Sequence, residues 1–211
     1  AARRFADVLG MCVILPALHL EPGVVELSWG PVSGVLDVGR YPRGSDGVAE
    51  SIAADLQASG FRSRARPDVM RAKYGKLLTN LGNVLDAACG PAAADPVPSE
   101  INERAFGEGV ACLRAAGIEW VGEAGGEGVL AELPPMRPVD GRMRPGGSTW
   151  QSVARGHASL EADYLNGEIV LLGRLHAVAT PVNEALQRLA WRMVRERLAP
   201  GSVDVAELLT A

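Results

Sequence analysis

At Pro67 the chain changes its hydrophobic period, and that change limits the fold more than any other feature. Before it, short apolar runs alternate with turn signals: Met11 to Leu15, Gly23 to Trp29 after Glu21-Pro22, and Gly34 to Val38 ahead of Gly39-Arg40. Each run has the length and punctuation of a strand. Val48 to Ala58 then carries helical spacing, Gly60 closes it, and Phe61 to Ala65 reads as another strand. This is the texture of the second half of an α/β domain. The opening residues Arg3, Arg4 and Phe5 read as a helix and no leading strand precedes them, so the natural protein is expected to begin upstream of Ala1. Beyond Pro67 the repeat lengthens into helical segments over Asp68 to Ala88, Ser99 to Ala116, Thr149 to Arg155, Leu160 to His176 and Val182 to Leu198. The expected division is an α/β part over residues 1–66 and an all-α domain over 67–211. Gly122 to Gly147, rich in glycine and proline, reads as an extended surface connector.

With 211 residues, 47% hydrophobic and 22% charged, the chain is long and apolar enough to build a core without staples. Its net charge of -4 comes from interspersed residues of both signs, which implies neither a nucleic-acid nor an anionic-membrane partner. The apolar runs are too short to span a bilayer, and no export signal is visible. Cys12, Cys89 and Cys112 are odd in number and far apart, which fits a reducing cytoplasm better than a disulfide framework or a thiolate metal site. His19, His157 and His176 stand apart from carboxylates and thiols at ligand spacing, so no metal is expected.

As one continuous helix, Met70 to Ala88 sorts into three arcs. Met70, Tyr74, Leu77, Leu78, Leu81, Val84 and Leu85 form an apolar stripe suited to a core. Gly75, Thr79 and Gly82 form a small-residue stripe, and since a mid-helix glycine costs about 1 kcal/mol against alanine, close backbone packing is expected there. Lys73, Lys76, Asn80 and Asn83 share the remaining arc. Such residues often form a solvated face. With the other two arcs buried, and asparagine a poor helix former unless its amide has a partner, a polar pocket wall is the sharper expectation. A lysine in such a wall is suited to protonating a developing alkoxide.

The run Lys73-Tyr74-Gly75-Lys76-Leu77-Leu78-Thr79-Asn80-Leu81-Gly82-Asn83 resembles the active-site helix of ketopantoate reductases, also called 2-dehydropantoate 2-reductases. A second run resembles the same family: Glu161-Ala162-Asp163-Tyr164-Leu165-Asn166-Gly167-Glu168-Ile169-Val170, then Gly173-Arg174-Leu175-His176 and Thr180-Pro181-Val182-Asn183. The resemblance implies the tail of a Rossmann domain followed by an all-α C-terminal domain of the 6-phosphogluconate-dehydrogenase type. It implies NADPH as cofactor and a small α-keto acid as substrate, reduced in the manner of ketopantoate to pantoate. By similarity, Lys76 is the general acid, Asn80 positions the substrate, Glu161 contacts substrate or cofactor, and Ser148 or Thr149 binds the substrate carboxylate. Asn83 would also face the substrate, although many relatives carry that asparagine one position later, where Val84 stands. Gly146 falls where relatives often carry a substrate-contacting asparagine.

Plainer roles compete with these. Glu161, two residues after the candidate cap Ser159, would meet a helix dipole, and Ser148 follows two glycines where a cap is wanted. Asn166 and Gly167 would lie inside a helix, the glycine admitting a close neighbour, with Asp163 a structural or surface acid. Arg62, Arg64 and Arg66 alternate on a probable strand and suit a charged sheet edge better than a phosphate site. A nicotinamide enzyme needs a strand, a Gly-rich turn and a helix N-terminus to hold the pyrophosphate, and no G-x-G-x-x-G occurs; the glycines of Gly122 to Gly128 lack a leading strand. Catalysis would therefore need more than this chain. Two other readings are a β-hydroxyacid-dehydrogenase-like reductase of another short acid, and a non-catalytic helical dimerisation or binding module. Leu186, Leu189, Ala190 and Met193 would serve a homodimer as readily as an internal core.

Overall fold

A computed structural model describes residues 2–90, 96–122, 135–156 and 160–204. His157, Ser159 and residues 123–134 of the expected connector, with Gly125-Gly126 among them, lie outside the described residues. The chain forms two compact units, one drawn from residues 1–18, 25–76 and 119–144, the other from 19–24, 77–118 and 145–211.

In the first unit, β1 (Leu9–Ile14) pairs antiparallel with β4 (Val35–Arg40), Cys12 opposite Asp37. A small second ladder joins β2 (Ala17–Leu18) to β3 (Glu26–Leu27), so the strand expected over Gly23 to Trp29 shrinks to two residues. The expected opening helix is a turn at Ala2 to Arg4. After β4 the chain enters α1 (Gly47–Ala58), capped by Asp46, whose carboxylate accepts from the N–H groups of Val48 and Ala49. It then returns beside β4, with parallel bridges from Val35 to Arg62 and from Val38 to Ala65. Strand, helix and parallel return bury Val38, Ala49 and Ala53 together. Gly10 and Gly39 face each other across the ladder, where a Cβ on Gly39 would lie 3.1 Å from Val69 and 2.0 Å from the Arg66 carbonyl oxygen. Only glycine allows so close an approach.

The segment expected as a single helix over Asp68 to Ala88 is two helices, α2 (Val69–Thr79) and α3 (Asn83–Cys89). Thr79, Asn80 and Gly82 are all weak helix formers, and between them the ladder tightens, Asn80 N–H donating to the Leu77 carbonyl and Asn83 N–H to that of Asn80. Leu81, Val84 and Leu85 nonetheless stay buried through the break. The small-residue stripe packs as expected: a Cβ on Gly75 would lie 2.5 Å from the Val121 carbonyl oxygen, and one on Gly82 2.1 Å from Asn102 Oδ1.

The second unit continues with α4 (Pro96–Ala115), α5 (Ser148–Ala154), a 3-10 turn (Glu161–Tyr164), α6 (Asn166–His176) and α7 (Pro181–Glu196). The helix expected over Leu160 to His176 is thus interrupted at Leu165, and Asn166 and Gly167 stand at the start of α6, not in a helix interior. Gly167 does admit a close neighbour, since a Cβ there would lie 2.6 Å from Gln187 Nε2 on α7. Leu186, Leu189, Ala190 and Met193 are core residues within this unit, so the face open to a dimer in the sequence is filled from inside. Among the described residues no helix is long and apolar enough to cross a membrane.

Candidate active site

Lys73 and Lys76, one turn apart on α2, reach the same feature of the first unit. Leu36 and Val38 donate their N–H groups to the carbonyls of Arg62 and Arg64, so those β4 residues face the returning segment and their alternates face β1. The register then leaves Met11 and Val13 on the far edge of β1. Lys73 Nζ donates to the Met11 carbonyl at 3.0 Å, and Lys76 Nζ donates to the Val13 carbonyl. Edge carbonyls two residues apart thus receive ammonium groups three residues apart on the helix. Cys12, between them in sequence, points into a core of Val69 and Ala72. Burial raises its thiol pKa against the opposing pull of Lys76 and Lys73, so it is a neutral core thiol. Arg66 pairs with Asp68 at 3.1 Å and with buried Asp37 at 3.5 Å, which occupies it structurally.

The remaining candidates belong to the second unit. Asn80 lies in the break after α2 and Asn83 opens α3, so the arc they were to share with the lysines ends at Thr79. α3 packs on α5, bringing the element that carries Asn83 against the one that carries Ser148 and Thr149. Ser148 is exposed and Thr149 buried. The cap of α5 is Gly147 and makes no side-chain bond, so the capping role expected for Ser148 is not the one it has; it stands one residue further in. At Gly146 a Cβ would meet Trp150 Cγ at 2.5 Å, and no larger side chain fits there while the indole stays in place. Glu161 is exposed at the start of the 3-10 turn. Its neighbour Asp163 accepts from Gln187 Nε2 at 2.7 Å and Trp191 Nε1 at 3.0 Å, tying that turn to α7.

Beneath these residues runs a polar network that local sequence patterns do not reveal. Asn166 and Asn183 are fully buried. Asn166 Nδ2 donates to the Leu81 carbonyl at 2.9 Å and to Asn183 Oδ1 at 3.0 Å. Asn183 Nδ2 donates to the Ala105 carbonyl at 3.0 Å and to Glu108 Oε2 at 2.8 Å. The Glu108 carboxylate also accepts from the backbone N–H groups of Val182 and Asn183, both at 2.9 Å. Every amide hydrogen of the pair has an acceptor, which a dry interior requires. The signals available were Asn183 in the first turn after Pro181 and Asn166 before a glycine; nothing near Glu108 marks it.

Two features bear on cofactor and metal. Among the described residues of the first unit a strand–turn–helix runs from β4 into α1, but the Asp46 carboxylate already takes the first N–H groups of α1 and pairs with Arg40 at 2.6 Å. A pyrophosphate there would meet a negative charge, so this helix N-terminus does not fit one. Among the described residues no three His, Cys, Asp or Glu side chains converge as a metal site.

The fold recurs in solved reductases: the 2-dehydropantoate 2-reductase of Methylococcus capsulatus superposes with a TM-score of 0.73 at 20% identity, over 93% of this chain and 66% of that one. A D-mandelate dehydrogenase solved with NADH superposes at 0.67 with 22% identity, over 90% and 63% of the two chains. The model of the ketopantoate reductase PanE/ApbA C-terminal family matches residues 68–193, and the chain belongs to that family. It is 31% identical over 177 residues to the 2-dehydropantoate 2-reductase of Halobacterium salinarum, covering 81% of this chain and 54% of that protein. The chain spans about half the length of the curated relatives it matches, 54% and 57% of two of them.

Proposed function

We propose that this chain supplies the proton donor and the substrate-holding side chains for reduction of a small α-keto acid of the ketopantoate type. The observation that carries the reading is the family match over residues 68–193, which includes both Lys76 and the helix break that follows it. Lys76 projects from the last turn and a half of α2 with its ammonium in a donating posture, and Asn80 stands outside regular helix, where its amide is not committed to a helical face. In this reading Lys76 gives a proton to the ketone oxygen and Asn80 holds that oxygen or its neighbour. Asn83 and Ser148, exposed at the start of α5, hold the carboxylate; buried Thr149 backs Ser148, and Glu161 contacts the ligand from the 3-10 turn.

NADPH would supply the hydride. The described residues offer no cradle for its pyrophosphate. Residues 1–66 are read as the end of a Rossmann-type cofactor domain and 67–211 as the substrate domain, acting in the cytoplasm as a monomer or homodimer. The test is ketopantoate-dependent NADPH oxidation by the intact natural protein and by Lys76→Ala. Loss of a transition-state proton donor lowers kcat by about 10²- to 10⁴-fold. Turnover near the parent's in Lys76→Ala would remove Lys76 from the reaction, and no oxidation by the parent with any small keto acid would overturn the reading as a whole.

A further inference from the structure

We propose that Asn166 is a positioning residue that sets the helix break after α2 and thereby the placement of Asn80; the part concerning substrate rests on the reading above. The first backbone hydrogen bond of α3 runs from Asp86 N–H to the Gly82 carbonyl, so the Leu81 carbonyl falls outside the helical ladder. Leu81 is fully buried, and a carbonyl in that setting needs a donor. Asn166 provides it across 85 positions of sequence.

The orientation of this amide is not free. Glu108 can only accept, and it is fixed by two backbone N–H groups of α7. Asn183 must therefore turn its NH₂ toward Glu108 and the Ala105 carbonyl, leaving Oδ1 toward Asn166. Asn166 must in turn present NH₂, and its second hydrogen has one direction left, to Leu81. The polarity set by one carboxylate on α4 thus runs through two buried amides to the residue next to Asn80. Rotating either amide would set its oxygen against other acceptors, the Leu81 carbonyl and Asn183 Oδ1 for Asn166, the Ala105 carbonyl and Glu108 for Asn183, so the break is held in one geometry, as a polar network in a dry interior does only when every member is satisfied. A continuous helix over 79–83 would bring the Leu81 carbonyl back into the ladder and leave an Asn166 hydrogen without an acceptor.

The experiment compares the intact natural protein with Asn166→Asp, isosteric but with an acceptor in place of the donor. Amide hydrogen exchange at residues 80–83 should rise by about tenfold or more, with α1 amides unchanged. In steady-state assays with NADPH and ketopantoate, kcat/KM for the keto acid should fall by about tenfold or more while the KM for NADPH holds. Exchange at 80–83 equal to the parent's overturns the positioning of the break. Faster exchange with kcat/KM for the keto acid unchanged overturns its relevance to substrate. A parent that reduces no keto acid defeats the functional reading, and the exchange result then judges Asn166 alone. Should Asn166→Asp not fold, Asn166→Ala, which removes both donors without adding a charge, takes its place with the same outcomes.

Discussion

Removing the Glu108 carboxylate should destabilise the helical unit more than any surface charge change. Pro181 has no N–H, so Val182 and Asn183 carry the first free donors of α7, and both go to Glu108 at 2.9 Å. Thr180, at the cap position, makes no side-chain bond, so the carboxylate from α4 acts as the cap. Loss of a cap costs about 1 kcal/mol and loss of a negative charge at a helix N-terminus about 0.3–1. The fully buried Asn183 amide also loses the acceptor at 2.8 Å, and a buried donor left unmatched costs about 1–3 kcal/mol. These effects share the same atoms and do not simply add, so Glu108→Ala should cost about 3 kcal/mol. Glu108→Gln keeps one acceptor but turns an NH₂ toward a donor, and should cost about half as much. Urea unfolding followed by far-UV circular dichroism reads both. A Glu108→Ala stability within about 0.5 kcal/mol of the parent would mean that water replaces the carboxylate at no cost, and that the network is not closed as described.

Two glycines in helices should respond to alanine with opposite signs. Gly107 is exposed in α4 with no atom within 4 Å of the added Cβ, so Gly107→Ala should stabilise by about 0.5–1 kcal/mol. Gly75→Ala gains the same propensity but drives a Cβ to 2.5 Å from a Val121 carbonyl whose residue is tethered to the Arg71 carbonyl, and overpacking should win, for a net loss of about 2 kcal/mol in the same assay. Burial raises the pKa of Asp86, so the folded state holds its proton more tightly than the unfolded chain. Its favourable contribution is complete below the ordinary carboxylate range and is lost as pH rises through the raised value. Asp86→Asn should therefore match the parent in acid and exceed it at neutral pH; a difference independent of pH would refute the assignment.

What the sequence could and could not disclose follows from the range of the interactions. The burial of Leu78, Leu81, Val84 and Leu85 is visible in their spacing, because each touches its own unit's core through a local face. The same continuity hides the break: three residues of tighter winding shift the phase too little to move Val84 and Leu85 off the buried side, so an apolar repeat cannot distinguish one helix from two. Only Thr79, Asn80 and Gly82 hint at it, and weak helix formers are common. The lysines were legible as a pair on one face, yet their engagement with Met11 and Val13 depends on which edge of β1 lies open, a matter of register across residues 62 and 63 positions away. Glu108 is the extreme case. Its own helix gives it no reason to differ from any exposed glutamate, and its role is written 75 residues later, where a proline removes one donor from the start of α7 and leaves two that no local side chain takes. An unfilled cap in a sequence is therefore a question about the rest of the chain: when Ser, Thr, Asp or Asn fails to cap a buried helix start, a carboxylate from a packed neighbour is the partner to seek.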